Sequence, residues 1–538
     1  MGKWVRTFVL FIGRPTENRT HANRLASRTS GASSFPVFYL ESIIRPRLFP
    51  HYTMNGGAPF LTAENKGLVE PHGSAALAES SERSARQNLE ICREIDAWPQ
   101  WRQAAHDIKR YTLANLDKLL DRFTTKLEAK GITVLWANDA AEANGHILEL
   151  VRRHGVKTVV KAKSMVSEEM ELNHALAGVG VDAVETDLGE YIVQLAGQRP
   201  THIVTPALHL SAAEIGQLFH EKLGEPFTAK QEELTAIARK HLRRKFIEAD
   251  MGISGVNFGI ADTGCFALVE NEGNIGLSTA APKVHVALMG MEKLIPSADY
   301  LPLFLNMLPR MGTGQKLTSY VHLFNGPTEG RHMYVVIIDN GRSKALARPE
   351  FRRVLHCIRC GLCLNHCPVY RHVGGWAYGW VYPGPIGMIL TPHLLGLEKA
   401  GKIPFASSLC GACSQICPVK IDIAHQIVRM RKEAVQTPGS PARSLVDRLT
   451  WKAFAIAMQT GFRFRLLMAL IKIAIRIAPY LPWHPDKLGQ WTRGRALPEI
   501  PKDGSFRDWW KTRQKSGRSK PVEREPPATV EKTTVEEA

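Results

Sequence analysis

No apolar stretch of this 538-residue chain runs uninterrupted to the roughly 18 residues that a membrane-crossing helix needs, so none is expected. Acidic residues are also short: 51 Asp and Glu stand against 69 Lys and Arg, a formal excess of +18. A positive field of that size speaks to partners rather than to fold, and suits nucleic acid, an anionic membrane or an acidic protein. Nucleic acid is disfavoured, because the basic residues are dispersed and no recognition module is present. A dinucleotide fingerprint is missing too. GISGVNFG (252–259) is followed by hairpin-like sequence where the helix of that motif would have to begin. NAD is therefore disfavoured, and nothing in the chain points to flavin.

Cysteine is scarce over most of the length and then abundant. Cys92 and Cys265 stand apart and read as core residues, without the His and carboxylate company of a catalytic nucleophile. The other seven, Cys357, Cys360, Cys363, Cys367, Cys410, Cys413 and Cys417, are crowded into one short segment of a long chain. Disulfide frameworks belong mainly to small secreted domains, so metal ligation in a reducing, cytoplasmic setting is the better reading. The opening MGKWVRTFVLFIGRP has a short apolar run and no small-residue cleavage site after it, which argues against a secretory signal. An arginine-rich leader, or a start placed upstream of a working Met54, accounts for residues 1–84, which are expected to be largely disordered.

The cysteines form two copies of one pattern. Cys357-x2-Cys360-x2-Cys363-x3-Cys367-Pro368 is followed by Ser407-x2-Cys410-x2-Cys413-x3-Cys417-Pro418. Two-residue spacings let one loop direct several thiolates at an iron-sulfur cube, and the three-residue step sends the fourth thiolate to the other cube. On this pattern Cys357, Cys360, Cys363 and Cys417 hold one 4Fe-4S cluster, while Cys410, Cys413 and Cys367 give three thiolates to a second. Zinc can use CxxC pairs, but it does not explain crossed, proline-terminated repeats. Ser407 decides the character of the second centre, since a hydroxyl is a poorer iron ligand than a thiolate. Ser407, a nearby side chain or water completes the set, or an iron is labile or lost to give 3Fe-4S. The plainer alternative is that Ser407 caps a turn. The intervening 371–406, rich in Gly, Pro, Trp and Tyr, reads as an ordered insertion that packs aromatic rings around the centres.

Upstream, 85–130 has apolar residues at helical spacing, with Leu113, Leu116, Leu119, Leu120, Phe123 and Leu127 on one stripe, predicting two helical segments. Strands are then expected at 132–137, 157–162, 181–186 and 201–207, alternating with helices at 139–153, 167–177 and 211–219. A further helix at 228–248 precedes glycine-punctuated hairpins over 251–290, and a last strand lies within 334–341. Alternating strands and helices give an α/β domain with a parallel or mixed sheet. Within it Lys161, Lys163 and Ser164 end a strand before a helix, where an anion can be held; the competing reading is solvated surface. Glu168 and Glu169 fit first-turn charges, and Glu185, Asp187 and Glu190 fit either a polar cleft wall or turn caps. The expected division is 1–84 leader, 85–345 α/β domain, 350–435 two-cluster module, 436–515 basic and apolar helical region, and 516–538 disordered tail. In 451–485 an apolar run is broken by Arg463, Arg465, Lys472 and Arg476, which fits peripheral contact with an anionic membrane or, preferably, packing on a partner or on the chain itself.

Taken with KAKSMVSEE (161–169), ETDLGEYIVQL (185–195), NEGN (271–274), YPGPIG (382–387) and FRDWW (506–510), the cysteine runs resemble those of the lactate-utilisation iron-sulfur proteins, the LutB/LldF-like family, over about 85–515. The resemblance implies an N-terminal α/β LUD domain, similar to ribose-5-phosphate isomerase and CoA-transferase folds, followed by an α-helical, ferredoxin-like two-cluster domain. It implies the electron-transfer component of a complex that oxidises L-lactate to pyruvate with two companion proteins, an electron donor and an acceptor. It supplies no catalytic residue, so the catalytic set stays unknown. Ser407 departs from the eight-cysteine form. Two other readings stay open: a catalytic subunit whose LUD pocket grips a 2-hydroxy acid or other small anion through Lys161 or Lys163, and an iron-sulfur redox sensor.

Overall fold

The computed structural model describes residues 71–442, 445–477 and 506–515. The expectations for residues 1–70, 478–485 and 516–538 lie outside them. Six parallel strands form the main sheet in the order β1 (Thr133–Ala137), β10 (His332–Ile338), β7 (Val284–Gly290), β4 (Met251–Gly255), β2 (Thr158–Lys161), β3 (Asp182–Glu185). Successive side chains of a strand point to opposite faces, and the core divides accordingly. Val159, Val286 and Leu288 pack with Ile147 and Leu150 of the helix Ala140–His154 on one face, whereas Val160 joins Phe219, Leu234 and Phe246 on the other. Every residue of β7 is buried, as a central parallel strand covered by helices on both sides requires. The helix Ala140–His154 starts at Asp139, whose carboxylate accepts the Glu142 N–H, and stops at left-handed Gly155.

A second sheet, β8 (Leu294–Ile295), β5 (Phe258–Ile260), β6 (Cys265–Glu270), β9 (Tyr320–Phe324), grows directly from the carboxyl ends of β4 and β7. This corrects in part the expectation of hairpins over 251–290. Only β5 and β6 form a hairpin; β4 and β7 are central strands of the main sheet. Gly252 belongs in β4 because a Cβ there would stand 1.7 Å from Ser278 O of the helix Asn274–Ala280.

Other differences have local causes. The strand expected at 201–207 is a series of turns, in which His202 Nδ1 accepts the N–H groups of Val204 and Thr205 at 3.1 Å and Pro206 interrupts pairing. The helix expected at 167–177 is split into Met165–Glu169 and Leu172–Ala177 by Glu171 at φ 52°. Among the described residues ahead of β1 there are three helices rather than two, Pro71–Arg93, Trp98–Ala114 and Leu116–Glu128, and the first begins ahead of residue 85, with Leu77 and Ser81 buried.

The cysteine-bearing region is built of short helices sharing one continuous apolar core with the α/β domain. Tyr370 Oη donates to Thr201 O at 2.8 Å and Trp376 Nε1 to Arg199 O at 2.6 Å, so the turns at 199–206 serve as its seat. A Cβ on Gly375 would stand 1.8 Å from Thr201 O, so the two backbones are in direct contact. The helices Leu445–Met458 and Gly461–Ile477 pack on each other, and Trp451, Phe454, Phe462 and Leu466 are exposed. Among the described residues no helix is long and apolar enough to cross a membrane.

Candidate iron-sulfur centres and an adjoining cavity

The two cysteine runs repeat in conformation as well as in spacing. Arg359 (φ 63°) and Gly361 (φ 74°) flank Cys360, and Leu409 (φ 57°) and Gly411 (φ 83°) flank Cys410, all left-handed. Arg359 and Leu409 hold that conformation despite bearing side chains, which the surrounding fold must enforce. The Arg359 N–H donates to Cys357 Sγ at 3.4 Å, and the Leu409 N–H donates to Ser407 Oγ at 3.1 Å. Ser407 therefore occupies in its turn the position that Cys357 occupies in the first.

Cys357, Cys360, Cys363 and Cys417 line one pocket, whose apolar wall includes Ile386, Val419, Ile421 and Ile423. Cys360 and Cys417 are buried, and Cys357 and Cys363 half-buried. Cys417 Sγ accepts the Ile421 N–H at 3.4 Å, and Arg102 Nε and Nη2 hold the Cys417 carbonyl at 3.1 and 2.8 Å. Burial pushes the Cys417 thiol up to about 11 and raises Cys360 and Cys363 as well. Cys367, Cys410 and Cys413 form the other group. Burial, then the neighbouring Cys367 and Cys410, push Cys413 up to about 12. Cys410 is exposed and lines an open depression with Arg102, Lys420 and Asp422. The buried Tyr378 hydroxyl lies against the Cys367 thiol. The groups adjoin, since Cys413 is among the charges that raise Cys363. Among the described residues no three His, Cys, Asp or Glu side chains gather as closely as a single metal ion requires.

A buried charge network that the sequence did not reveal joins this module to the α/β domain. Arg342 donates to Glu169 Oε1 at 2.8 Å and to Glu292 Oε2 at 2.6 Å, Arg359 Nη2 reaches Glu292 Oε1 at 3.0 Å, and the Tyr382 hydroxyl donates to Glu169 Oε2 at 2.9 Å. Arg359 and Tyr382 lie within motifs the sequence displayed, but nothing in spacing shows that they meet Glu169 and Glu292. Lys109 donates to the Glu292 and Leu294 carbonyls, and burial pushes its pKa down to about 7.

Beside the first cysteine group lies a cavity of about 340 Å³. Its wall takes Lys163, Asp187, Asn257 and Lys293 from just beyond β2, β3, β4 and β7, and Ile358 and Arg359 from the loop between Cys357 and Cys360. Lys161 is not in that wall: it is buried against Glu168 at 2.8 Å and Glu185 at 2.7 Å, which removes it as a ligand grip. Lys163 donates to Val204 O at 2.5 Å while lining the cavity. Ser164 caps only a five-residue helix. Asp187 caps the helix Leu188–Leu195, and burial with Glu168 nearby keeps the enclosed Glu190 well above the usual carboxylate range. Cys92 is partly buried, its thiol pushed up to about 11 by burial. Cys265 is partly buried as well and donates to Asn325 Oδ1 at 3.1 Å, so it is not a purely apolar core residue.

This architecture defines a class: an α/β domain fused to an α-helical two-centre iron-sulfur module. Residues 120–344 match the model of the LUD domain, 353–421 that of the 4Fe-4S dicluster domain, and 427–515 that of the C-terminal region of lactate utilisation protein B. Lactate utilization protein B of Shouchella clausii is 41% identical over 477 residues, covering 86% of this chain and 98% of its own. That of Bacillus licheniformis is 41% identical over 472 residues, with 86% and 98% covered. That of Oceanobacillus iheyensis is 41% identical over 465 residues, with 84% and 95% covered. The chain belongs to the lactate utilisation protein B family. A crystal structure of a DUF162 family protein from Deinococcus radiodurans aligns with 41% of this chain and 98% of its own at 13% identity, with a TM-score of 0.24, and bears no further weight.

Proposed function

We propose that this chain is the electron-transfer subunit of a complex that oxidises L-lactate to pyruvate, acting with two companion proteins and exchanging electrons with separate donor and acceptor proteins. Cys357, Cys360, Cys363 and Cys417 hold one 4Fe-4S cluster. Cys367, Cys410 and Cys413 hold a second, and Ser407 stands at its fourth position. The observation that carries the reading is the single pocket lined by three thiols of the first run and one of the second. The residues fit such a group in two further ways. The buried Tyr378 hydroxyl lies against Cys367, and the Arg359 guanidinium borders Cys357, as suits an anionic, thiolate-bound centre.

When bound, the clusters supply one-electron chemistry. The chain's own part is to position the thiolates, exclude water and set the electrostatics. The isoleucine wall keeps the first site dry, and N–H donors to Cys357 and Cys417 favour the more negative, reduced state. The second site reaches the surface at Cys410, where a redox partner has access. The reading places the chain in the reducing cytoplasm. The test is anaerobic purification with the companions, iron and sulfide counts, an EPR redox titration and lactate-dependent reduction. Iron and sulfide in equal amounts and reduction only with companions present support the reading; stoichiometric zinc without iron or sulfide overturns it.

A further inference from the structure

The turn around Cys410 repeats the turn around Cys360, yet the two face opposite ways. Arg359, left-handed in the first run, is 8% exposed and tied to Glu292 at 3.0 Å, whereas its counterpart Leu409, also left-handed, is 38% exposed. The same reversal follows the prolines. Tyr370, third after Cys367, is buried, and Lys420, third after Cys417, is exposed and left-handed at φ 53°. That conformation is costly for a residue with a side chain, and an exposed leucine recovers little of the cost through packing, so the outward turn serves contact with something outside the chain. Phe405, 40% exposed, adjoins the turn, since Arg431 lies over its ring at 5.3 Å and donates to Ser407 O at 2.7 Å.

Cations border the same cysteine. Arg102 and Lys420 line the depression that Cys410 opens into, and neutral acceptors hold them, which leaves their charge standing. Arg102 gives Nε and Nη2 to the Cys417 and Gln415 carbonyls, Lys420 donates to Gln103 Oε1 at 2.5 Å, and Arg431 donates to the Pro404 and Ser407 carbonyls. Arg102 Nη1 makes no hydrogen bond among the described residues and is left to a partner. Asp422, the carboxylate lining the depression, is engaged by the Ser414 hydroxyl and the His425 N–H at 3.4 Å each. Three cations thus stand against one carboxylate, beside an apolar spot. A second copy of this chain would bring like charge to the face, and a bilayer brings no redox centre to Cys410. We propose that the face around Cys410 docks an acidic one-electron carrier protein, its carboxylates against Arg102 and Lys420 and an apolar side chain on Leu409 and Phe405. On contact one electron leaves the reduced second centre for the oxidised carrier, or returns by the same route; no bond changes and no proton moves. The electron step rests on the assignment of the second centre to Cys367, Cys410 and Cys413; the docking step does not.

The test is calorimetric titration of the anaerobic, iron-loaded full chain with an acidic plant-type ferredoxin as probe and basic cytochrome c as control, paired with stopped-flow reduction of the chain by the reduced ferredoxin. Expected are one ferredoxin per chain, no cytochrome c, and a reduction rate that falls about tenfold or more between low salt and about 0.2 M salt. Lys420→Glu reverses one charge and slows the low-salt rate roughly tenfold at unchanged iron and sulfide content. Leu409→Gly relieves the left-handed strain, so it folds, and it weakens ferredoxin binding roughly threefold or more while keeping the salt dependence. Cytochrome c binding at least as tightly, rates indifferent to salt, or binding unchanged in both variants overturns the proposal. Salt-sensitive self-association that Lys420→Glu removes gives the face to a second copy, and phosphatidylserine vesicles that displace the ferredoxin give it to a membrane; either result overturns the proposal too. Iron and sulfide for one centre only, with ferredoxin still bound, refutes the second-centre assignment and leaves the docking face standing.

Discussion

Cys367→Ser is the sharpest perturbation, because Cys367 lies in the first run and is expected to serve the second centre. Cys413 responds to Cys367 and Cys410, while the pocket around Cys357, Cys360 and Cys363 contains Cys417 and not Cys367. Counting thiols by location, the second group falls from three to two and the first keeps four. A centre held by two thiolates and two hydroxyls is not retained, so iron falls from about eight to about four atoms per chain, with sulfide in parallel. Folding survives, since a hydroxyl in place of a buried thiol costs about 1–3 kcal/mol. The assay is iron and sulfide analysis with EPR of the reduced protein. The first centre's signal persists and the second's disappears. Cys417→Ser gives the complement: the first centre drops to three thiols, the count the second has naturally, and becomes the labile one. If Cys367→Ser instead abolishes the first centre and spares the second, crossed ligation is wrong.

Ser407→Cys restores a thiol where the Leu409 N–H already points, so iron retention by the second centre under chelator should rise; unchanged loss would mean that Ser407 only caps its turn. Arg342→Met strips two buried carboxylates of a shared partner and should cost about 3–5 kcal/mol in urea unfolding of the full chain, with less than about 1 kcal/mol refuting the network's role. Burial pushes His285 down from 6.5 to about 3. Between those values the unfolded chain takes up the proton and the folded chain does not, so its contribution is intact above pH 6.5 and is lost as pH falls toward 3. At pH 5 that loss is about 2 kcal/mol. Urea melts at neutral and acidic pH should show a smaller acid loss in His285→Gln than in the parent chain, and identical losses would exclude His285 as a cause.

Much of the fold was legible because its signals are local. The stripe Leu113 to Leu127 is buried as its spacing demanded, and the helix Ala140–His154 lies between the capping Asp139 and the terminating Gly155. The strand expected at 201–207 failed because a His202-centred turn and Pro206 replace strand pairing, and Thr201 seats the cysteine module instead. The all-buried β7 and the glycine-rich β4 were misplaced because their neighbours in the sheet are far away in sequence. Lys161 and Lys163 looked equivalent on the page, yet one is enclosed by Glu168 and Glu185 and the other lines the cavity.

By itself the chain of residues determined the chemistry: duplicated cysteine spacing with prolines specifies loops that present thiols to iron, because ligand spacing is a property of a few consecutive residues. Tertiary structure decided everything that depends on who faces whom. It left Cys410 at the surface, closed the Arg342–Glu169–Glu292–Arg359 network, and set a cavity against the first cysteine loop. Those juxtapositions join residues far apart in sequence, and they come from burying one continuous core, which no local pattern encodes.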